Sequence, residues 1–452
     1  MKKNLVFVLI CVVMLPTLLQ SQNSGKTMTL KDCIGVALQN NANVLQAQND
    51  ILVRNSNVTA AVGSFLPNLN AGGSWNESNR DIKTETTEII GGIPVQVPGG
   101  IKTLSTSVSG SVSSSITLFD GLANISRLGS AKANATASRH NLERTKQGVI
   151  AQVYSYYFNV LRTEKIYLQR QEVVEYSSQQ LDKLVESEKL GAVSQANVFQ
   201  QQAQLASDEL SLIQAESDFD KAKADMIAFL AYDSYEIFEF HDSSVKSEID
   251  SSDYLKLKKE LEDYNTLFDK AINTRPDYQS RVEGVTAADY SLTAARGGHL
   301  PSLSANASYA MSAPHLSSIT DNKTLSYGLS LNIPIFSRFQ VSNSVQSAKV
   351  GLKNAEINRD EAKRTIQVEI RKALLDLDAA YKSYISANRN VNFQKENVRI
   401  IQEKHNLGSS TLLDLLYATN NYNQSEVSMI NATYAYLFSV KQIEYVLGVL
   451  AE

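Results

Sequence analysis

The chain of 452 residues has two cysteines, one tryptophan, five histidines, eight prolines and 21 glycines, and each shortage excludes something. Cys11 lies in the first apolar run and Cys33 stands alone beyond it, so a chain trimmed of that run has no internal disulfide. So few glycines and prolines deny an all-β chain of this length its turns, and long helices must dominate. His140, His241, His299, His315 and His405 are scattered without metal-ligand spacing. There is no Gly-x-Ser-x-Gly elbow, no Walker loop and no His-Glu-x-x-His. Asp376 and Asp378, two apart in a helical stretch, do not share a face. No catalytic residue, metal or cofactor is therefore expected, and no enzyme activity. Without a clustered basic face, nucleic acid is not an expected partner. Beyond the first residues no apolar run reaches about 18, which excludes a bundle of membrane-spanning helices.

What is present begins with an export signal over 1–22. Lys2 and Lys3 precede the apolar run Leu5 to Leu15, and Leu19-Gln20-Ser21 offers a cleavage site. Cys33 lies too far downstream to be a lipid-anchoring residue. Loss of the two lysines takes the formal charge from −4 to −6.

The remainder is one pattern written twice. Leu118-Phe119-Asp120 returns as Ile335-Phe336-Ser337, and Lys189-Leu190-Gly191 as Asn406-Leu407-Gly408, both at a numbering offset of 217. Val149, Val153, Tyr157 and Val160 fall on Ile366, Ile370, Leu374 and Leu377 at the same offset. Phe65-Leu66-Pro67 and His299-Leu300-Pro301 are 234 apart, so the first copy carries 17 extra residues between Pro67 and Leu118. The expected organisation is a first repeat over 23–231, with helices 30–63, a strand pair at about 67–119 and a helical hairpin 121–231. A mixed α/β segment follows over 232–266, in which Glu236 to Phe240 reads as a short strand. The second repeat, 267–452, has a helix at 277–297, a strand pair at about 302–335 and a hairpin 338–450.

The strand segments alternate with period two. Leu104, Val108, Val112, Ile116 and Leu118 share one face, and Ser105 through Ser115 at odd positions share the other. Leu325, Tyr327, Leu329 and Leu331 oppose Ser326, Gly328 and Ser330. Weaker versions run through Leu69 to Trp75 and Leu303 to Met311. Strands of about 10 residues suit a tilted transmembrane β-strand. One reading is a half-buried sheet in a soluble domain. The other puts Trp75, Val108, Val112, Ile116, Tyr309, Tyr327, Leu329 and Leu331 on lipid and the small polar face on a watery lumen. Export and the absence of Lys and Glu from the polar face favour the second. The extra residues, with Gly91-Gly92, Pro94, Pro98 and Gly99-Gly100, read as an irregular external loop. Four strands cannot close a barrel and lipid cannot satisfy open edges, so other copies of the chain must complete it.

From Gly121 and from Arg338 each copy runs about 100 Å of uninterrupted helix at about 1.5 Å per residue. Each then turns at Leu-Gly and returns through a helix with Ser194 or Thr411 as N-cap. Helices this long need a packing partner, and the returning helix supplies it.

These features resemble the TolC-like outer-membrane efflux protein family along essentially the whole mature chain. The resemblance rests on Thr29-Leu30-Lys31-Asp32, on Arg275-Pro276-Asp277-Tyr278, and above all on Leu407-Gly408-Ser409-Ser410-Thr411-Leu412-Leu413-Asp414. It implies a mixed, mainly α fold: a homotrimeric 12-stranded barrel, four strands per chain, on a long periplasmic helical barrel with an equatorial α/β belt. It further implies a passive exit duct in the outer membrane, reached through a periplasmic adaptor (membrane-fusion) protein joined to an inner-membrane pump. Leu190, Gly191, Leu407 and Gly408 match the adaptor-docking tips, although glycine after a helix is also an ordinary C-cap. Asp414 matches an acidic residue at the periplasmic constriction. Tyr417 stands where the family has a second carboxylate, and Ser410 where it often has a base. An exported coiled-coil protein with a structural or adhesive role is the competing expectation. A stand-alone porin would need many more strands per chain.

Overall fold

The computed structural model describes residues 26–97, 99–232, 238–241 and 249–451. The expected export signal and the Glu236-Ile237 part of the expected short strand lie outside them. In chain order the first copy contains β1 (Lys26–Met28), α1 (Leu30–Asn40), α2 (Ala42–Gly63) and β2 (Asn68–Ile82). It continues with β3 (Thr86–Ile90), β4 (Ile93–Val97), β5 (Ile101–Phe119), α3 (Ala123–Lys189) and α4 (Gln195–Phe229). Then come β6 (Phe238–Phe240), α5 (Ser251–Glu260), α6 (Tyr264–Thr274) and α7 (Pro276–Gly297). The second copy closes with β7 (Ser302–Ala313), β8 (Lys323–Asn332), α8 (Gln340–Asn406) and α9 (Leu412–Val446). Both long helices have 67 residues and both returning helices 35. The first and last residues of α3 and α4 recur in α8 and α9 at the offset read from the sequence, so the duplication of the hairpins holds at single-residue resolution.

Two compact units form, one within 1–35 and 156–247, the other within 36–155 and 248–452. In the first, β1 and β6 pair in parallel. Tyr157 locks that pair to α3: its hydroxyl donates to the Met28 carbonyl at 3.4 Å, and its ring meets Phe240 edge-on. The α3–α4 hairpin seals around Val198, Ala215, Ala222 and Met226.

The second unit holds a four-stranded antiparallel sheet in the order β2-β5-β7-β8. Directly paired residues share a face. Register therefore joins Ala71, Val112, Tyr309 and Leu325 into one row, and Ile116, Ala305 and Leu329 into another. A bulge between Thr117 and Phe119 lets Phe119, rather than Leu118, pair with Leu303.

Residues 30–63 hold two helices, α1 and α2, parted at Asn41, whose side chain caps α2 by accepting from Asn43 N. Three expectations change. β2 and β5 run 15 and 19 residues, well beyond the expected strand length. The extra residues of the first copy are not irregular: β3 and β4 form a hairpin around Gly91-Gly92, both at positive φ as a tight two-residue turn needs. β8 stops at Asn332 instead of 335, because Pro334 has no N–H to give the ladder.

α9 ends on a polar lock. Helix C-termini leave carbonyls without partners and carry partial negative charge. Arg275, 2% exposed, donates from Nη1 to the Val446 carbonyl at 3.1 Å. The same nitrogen meets Glu369 at 2.5 Å, and a fork reaches Asp277 at 2.6 and 3.1 Å. Arg144 donates to the Tyr445 carbonyl at 2.9 Å and Thr274 to that of Leu447 at 2.6 Å. Burial opposes ionisation of Asp277, but hydrogen bonds from Arg275 and the charges of Arg144 and Arg275 outweigh it, so its carboxyl titrates below the usual range.

Two outcomes follow. Arg275→Met removes one partner of a buried ion pair and should cost about 3–5 kcal/mol, read as a fall in the thermal midpoint with early proteolysis at the end of α9. Because the Asp277 pKa is depressed on folding, its contribution is full above the unfolded aspartate value and vanishes as pH falls through the folded one. An acid titration of Asp277→Asn should therefore lose less stability than wild type on moving from neutral pH to below about pH 3.

Candidate functional site: the sheet face and the hairpin tips

The apolar face of the sheet is solvent-exposed in the isolated chain. Trp75, Val112, Tyr309, Tyr327, Leu329 and Leu331 are all exposed on it, with Ile116 half-buried. Val108 departs from this: it is on the same face, in register between Trp75 and Ala313, yet only 8% exposed. The opposite face carries Asn68, Ser74, Ser109, Ser115, Asn306 and Ser330. It is knitted by short polar contacts, Ser74 Oγ to Ser109 Oγ at 2.8 Å and Ser115 N to Asn68 Oδ1 at 2.7 Å. One face is thus apolar without cover and the other polar and, apart from Arg80 opposite Thr103 at the far end, uncharged, the reverse of a sheet that hides its apolar side. Among the described residues, β2 and β8, at the sheet's ends, each keep one backbone edge unpaired.

The two helical tips share one geometry. At the first, Gly191 N donates to the Glu188 carbonyl at 2.8 Å and Ala192 N to that of Ser187 at 2.9 Å. At the second, Gly408 N reaches His405 at 3.0 Å and Ser409 N reaches Lys404 at 2.9 Å. This double pattern is a Schellman motif. Both glycines have φ +73°, which L side chains rarely adopt. The turn alone therefore accounts for Gly191 and Gly408. It does not account for Leu190 and Leu407, which are 84% and 82% exposed.

The second tip opens α9 with a capping box. Asp414 accepts from Thr411 N and Oγ1 at 3.0 and 2.7 Å, and Asp414 N donates to Thr411 Oγ1 at 3.1 Å. These bonds hold the Asp414 carboxyl below its usual range. Tyr417, one turn on, is exposed. Ser194 is the N-cap of α4 but makes no side-chain cap bond. Among the described residues, no group of three His, Cys, Asp or Glu could hold a metal, and no helix is long and apolar enough to cross a membrane.

Residues 33–231 and 267–449 match the family described as outer membrane efflux protein. The chain belongs to this family. The two matched stretches are the two copies of the repeat. Outer membrane efflux protein BepC of Brucella suis biovar 1 (strain 1330) is 22% identical over 410 residues, covering 89% of this chain and 82% of BepC. Among solved structures, the Campylobacter jejuni CmeC outer membrane channel gives a TM-score of 0.73 at 21% identity, covering 93% of this chain and 85% of that one. The outer membrane protein VceC of Vibrio cholerae gives 0.75 at 15% identity, covering 93% and 96%. Membership makes the chain an outer-membrane efflux component.

Gly408→Ala forces a left-handed alanine and should cost roughly 1 kcal/mol. Thr411→Ala breaks the capping box and should cost about as much. Leu407→Ala should stay within about 0.5 kcal/mol, as expected for an exposed side chain. Thermal unfolding of the three variants side by side checks the ranking.

Proposed function

We propose that the chain is the passive exit duct of a tripartite efflux or type I secretion system, working as a homotrimer. Three four-stranded sheets close into a 12-stranded barrel, β8 of one copy pairing with β2 of the next. The observation that carries this is the uncovered apolar face, continuous over four strands and backed by small uncharged residues. In water it has no partner. In the outer membrane the same face meets lipid and the polar side lines a lumen.

The exposed leucines of the tips, Leu190 and Leu407, with the close-approach glycines Gly191 and Gly408 beside them, are the surface offered to a periplasmic adaptor, which couples the duct to an inner-membrane pump. Asp414 and Tyr417, one helical turn apart, form the constriction, where three copies bring three carboxylates together. Like charges in one ring repel and draw cations, so the closed state is the one that screening favours. The capping box that fixes Asp414 also fixes where that ring stands.

In the outer membrane, Val112→Arg or Leu329→Arg places a cation on the lipid face, at about 2–4 kcal/mol near the midplane, and should abolish assembly. Ser113→Arg should assemble and alter conductance only. The mass of the detergent-extracted particle, corrected for bound detergent, should be that of three chains for wild type and Ser113→Arg. A monomer extracted without detergent would overturn the duct. Leu407→Asp should preserve the trimer and abolish cross-linking to the adaptor and export. Normal export from it would remove the tip from the docking surface.

A further inference from the structure

The sheet meets the helices at four junctions: before β2, after β5, before β7 and after β8. Register puts all four at one end of the sheet, since Asn68 pairs with Ser115, Phe119 with Leu303 and Ser302 with Asn332. Three of them are packed together there: a Cβ on Gly121 would lie 2.5 Å from the Gly297 carbonyl oxygen, and one on Gly298 would lie 3.1 Å from Val341. Around this end Phe65, Leu66, Leu122, Ile335, Phe336 and Phe339 are exposed. None belongs to a strand or to the body of a helix, so neither the barrel wall nor the helical packing explains them.

Two further observations single out the last junction. Gly121 and Leu122 have φ +67° and +68°, and their counterparts in the second copy, Arg338 and Phe339, have φ +50° and +61°. The chain needs two left-handed residues to turn from strand to helix. The first copy uses a glycine for the first of them. The second uses an arginine, where glycine would adopt the conformation without strain. Strain of this kind at an exposed position points to a function for the side chain. Phe339, 74% exposed, sits edge-on to Phe336 at 5.6 Å.

The charge at this end is predominantly basic. Arg127, Arg296 and Arg338 are exposed there. Asp120 is the acidic group among them, half-buried, spent on capping Asn124 N and lying 3.6 Å from Arg127. Among the described residues, the Arg296 and Arg338 side chains have no hydrogen-bond or ion-pair partner.

We propose that this collar binds anionic phospholipid headgroups of the periplasmic leaflet: Phe336 and Phe339 insert at the interface, and Arg127, Arg296 and Arg338 take the phosphates. The occupant follows from position and charge. The collar lies where membrane strands give way to periplasmic helices, it is continuous with the lipid-facing surface, and its surplus is cationic. The inference rests on the barrel reading, and it adds a headgroup preference and a site.

The test uses the full mature chain in nanodiscs of equal phosphatidylglycerol and phosphatidylcholine, with the lipids retained after detergent exchange then counted. Wild type should enrich phosphatidylglycerol at least about threefold, and the combined Arg127→Gln, Arg296→Gln, Arg338→Gln variant should retain both equally. Arg338→Gly should lower the enrichment while leaving the thermal midpoint unchanged or higher, because the strain is relieved. A fall in both would make Arg338 a structural residue and overturn the proposal. With Phe339→Trp in a Trp75→Phe background, headgroup-labelled lipid should quench the fluorescence more than chain-end label. Absence of quenching would mean that a second copy of the chain covers the collar, and would overturn the lipid assignment. A trimer with no headgroup preference defeats this inference alone; a chain that does not enter the bilayer defeats it together with the duct.

Discussion

The rest of the molecule depends on one constraint: a strand in hydrocarbon must have every backbone N–H and C=O paired within protein. This chain brings four strands and therefore ends in two open edges, β2 and β8. Lipid cannot satisfy them, and the small uncharged polar face cannot be turned outward without losing water. On the duct proposed above, self-association completes the fold, and the apolar face finds its solvent only in the assembled state. The sheet of the single chain, exposed on both faces, would then be one segment of a closed wall.

Duplication is how the chain meets that constraint with a long periplasmic part attached. Each copy delivers two strands to the membrane and one hairpin of 67 and 35 residues to the periplasm. The two hairpins are equally long, and equal Schellman turns finish them the same way. The copies differ where assembly does not force them to agree. The β3–β4 hairpin belongs to the first copy, at the site of its extra residues. Thr411 and Asp414 close a full capping box in the second, whereas Ser194 makes no cap bond in the first. The Arg275 lock serves α9: it joins the segment entering the second copy to the chain's last helix, so the end of the second hairpin is held by groups from α3, α6, α7 and α8 together with Arg275 itself.

Much of this is legible in the sequence because two signals are local and cooperative. Period-two alternation needs only a few residues to declare a strand, and the constant offset between the copies makes each a check on the other. Turn residues name the tips correctly: Gly191 and Gly408 are glycines for a backbone reason visible in one dipeptide. Contacts distant in sequence are not legible. Arg275 stands out as part of a segment, but its partners Glu369 and Val446 lie 94 and 171 residues away. β1 is only a three-residue strand and exists because β6, from the segment between the copies, pairs with it. Gly91-Gly92 reads as loop chemistry, although two adjacent glycines between β-branched residues are also a hairpin signal. Asp414 is readable as an acidic residue past the turn. Its bond to Thr411 follows the same Thr-x-x-Asp spacing as Thr29 and Asp32, where Thr29 N and Oγ1 donate to Asp32 Oδ2 at 3.0 and 2.7 Å.

The junctions show why the change of solvent along the chain is concentrated in so few residues. Above them the side-chain period is two and the apolar face looks outward; below them the period is 3.6 and the apolar stripe is packed against other helices. No regular backbone satisfies both, and where strand gives way to helix the chain resets its direction through two successive left-handed residues. A glycine would suffice for the backbone at both places. The first junction has one because a side chain at Gly121 would collide with the Gly297 carbonyl. At the second, space opens outward, and an arginine and a phenylalanine stand there despite a conformation that costs each of them about 1 kcal/mol or more. Sterics explain the glycine. For the arginine, sterics give no reason, and the lipid headgroups proposed above supply one.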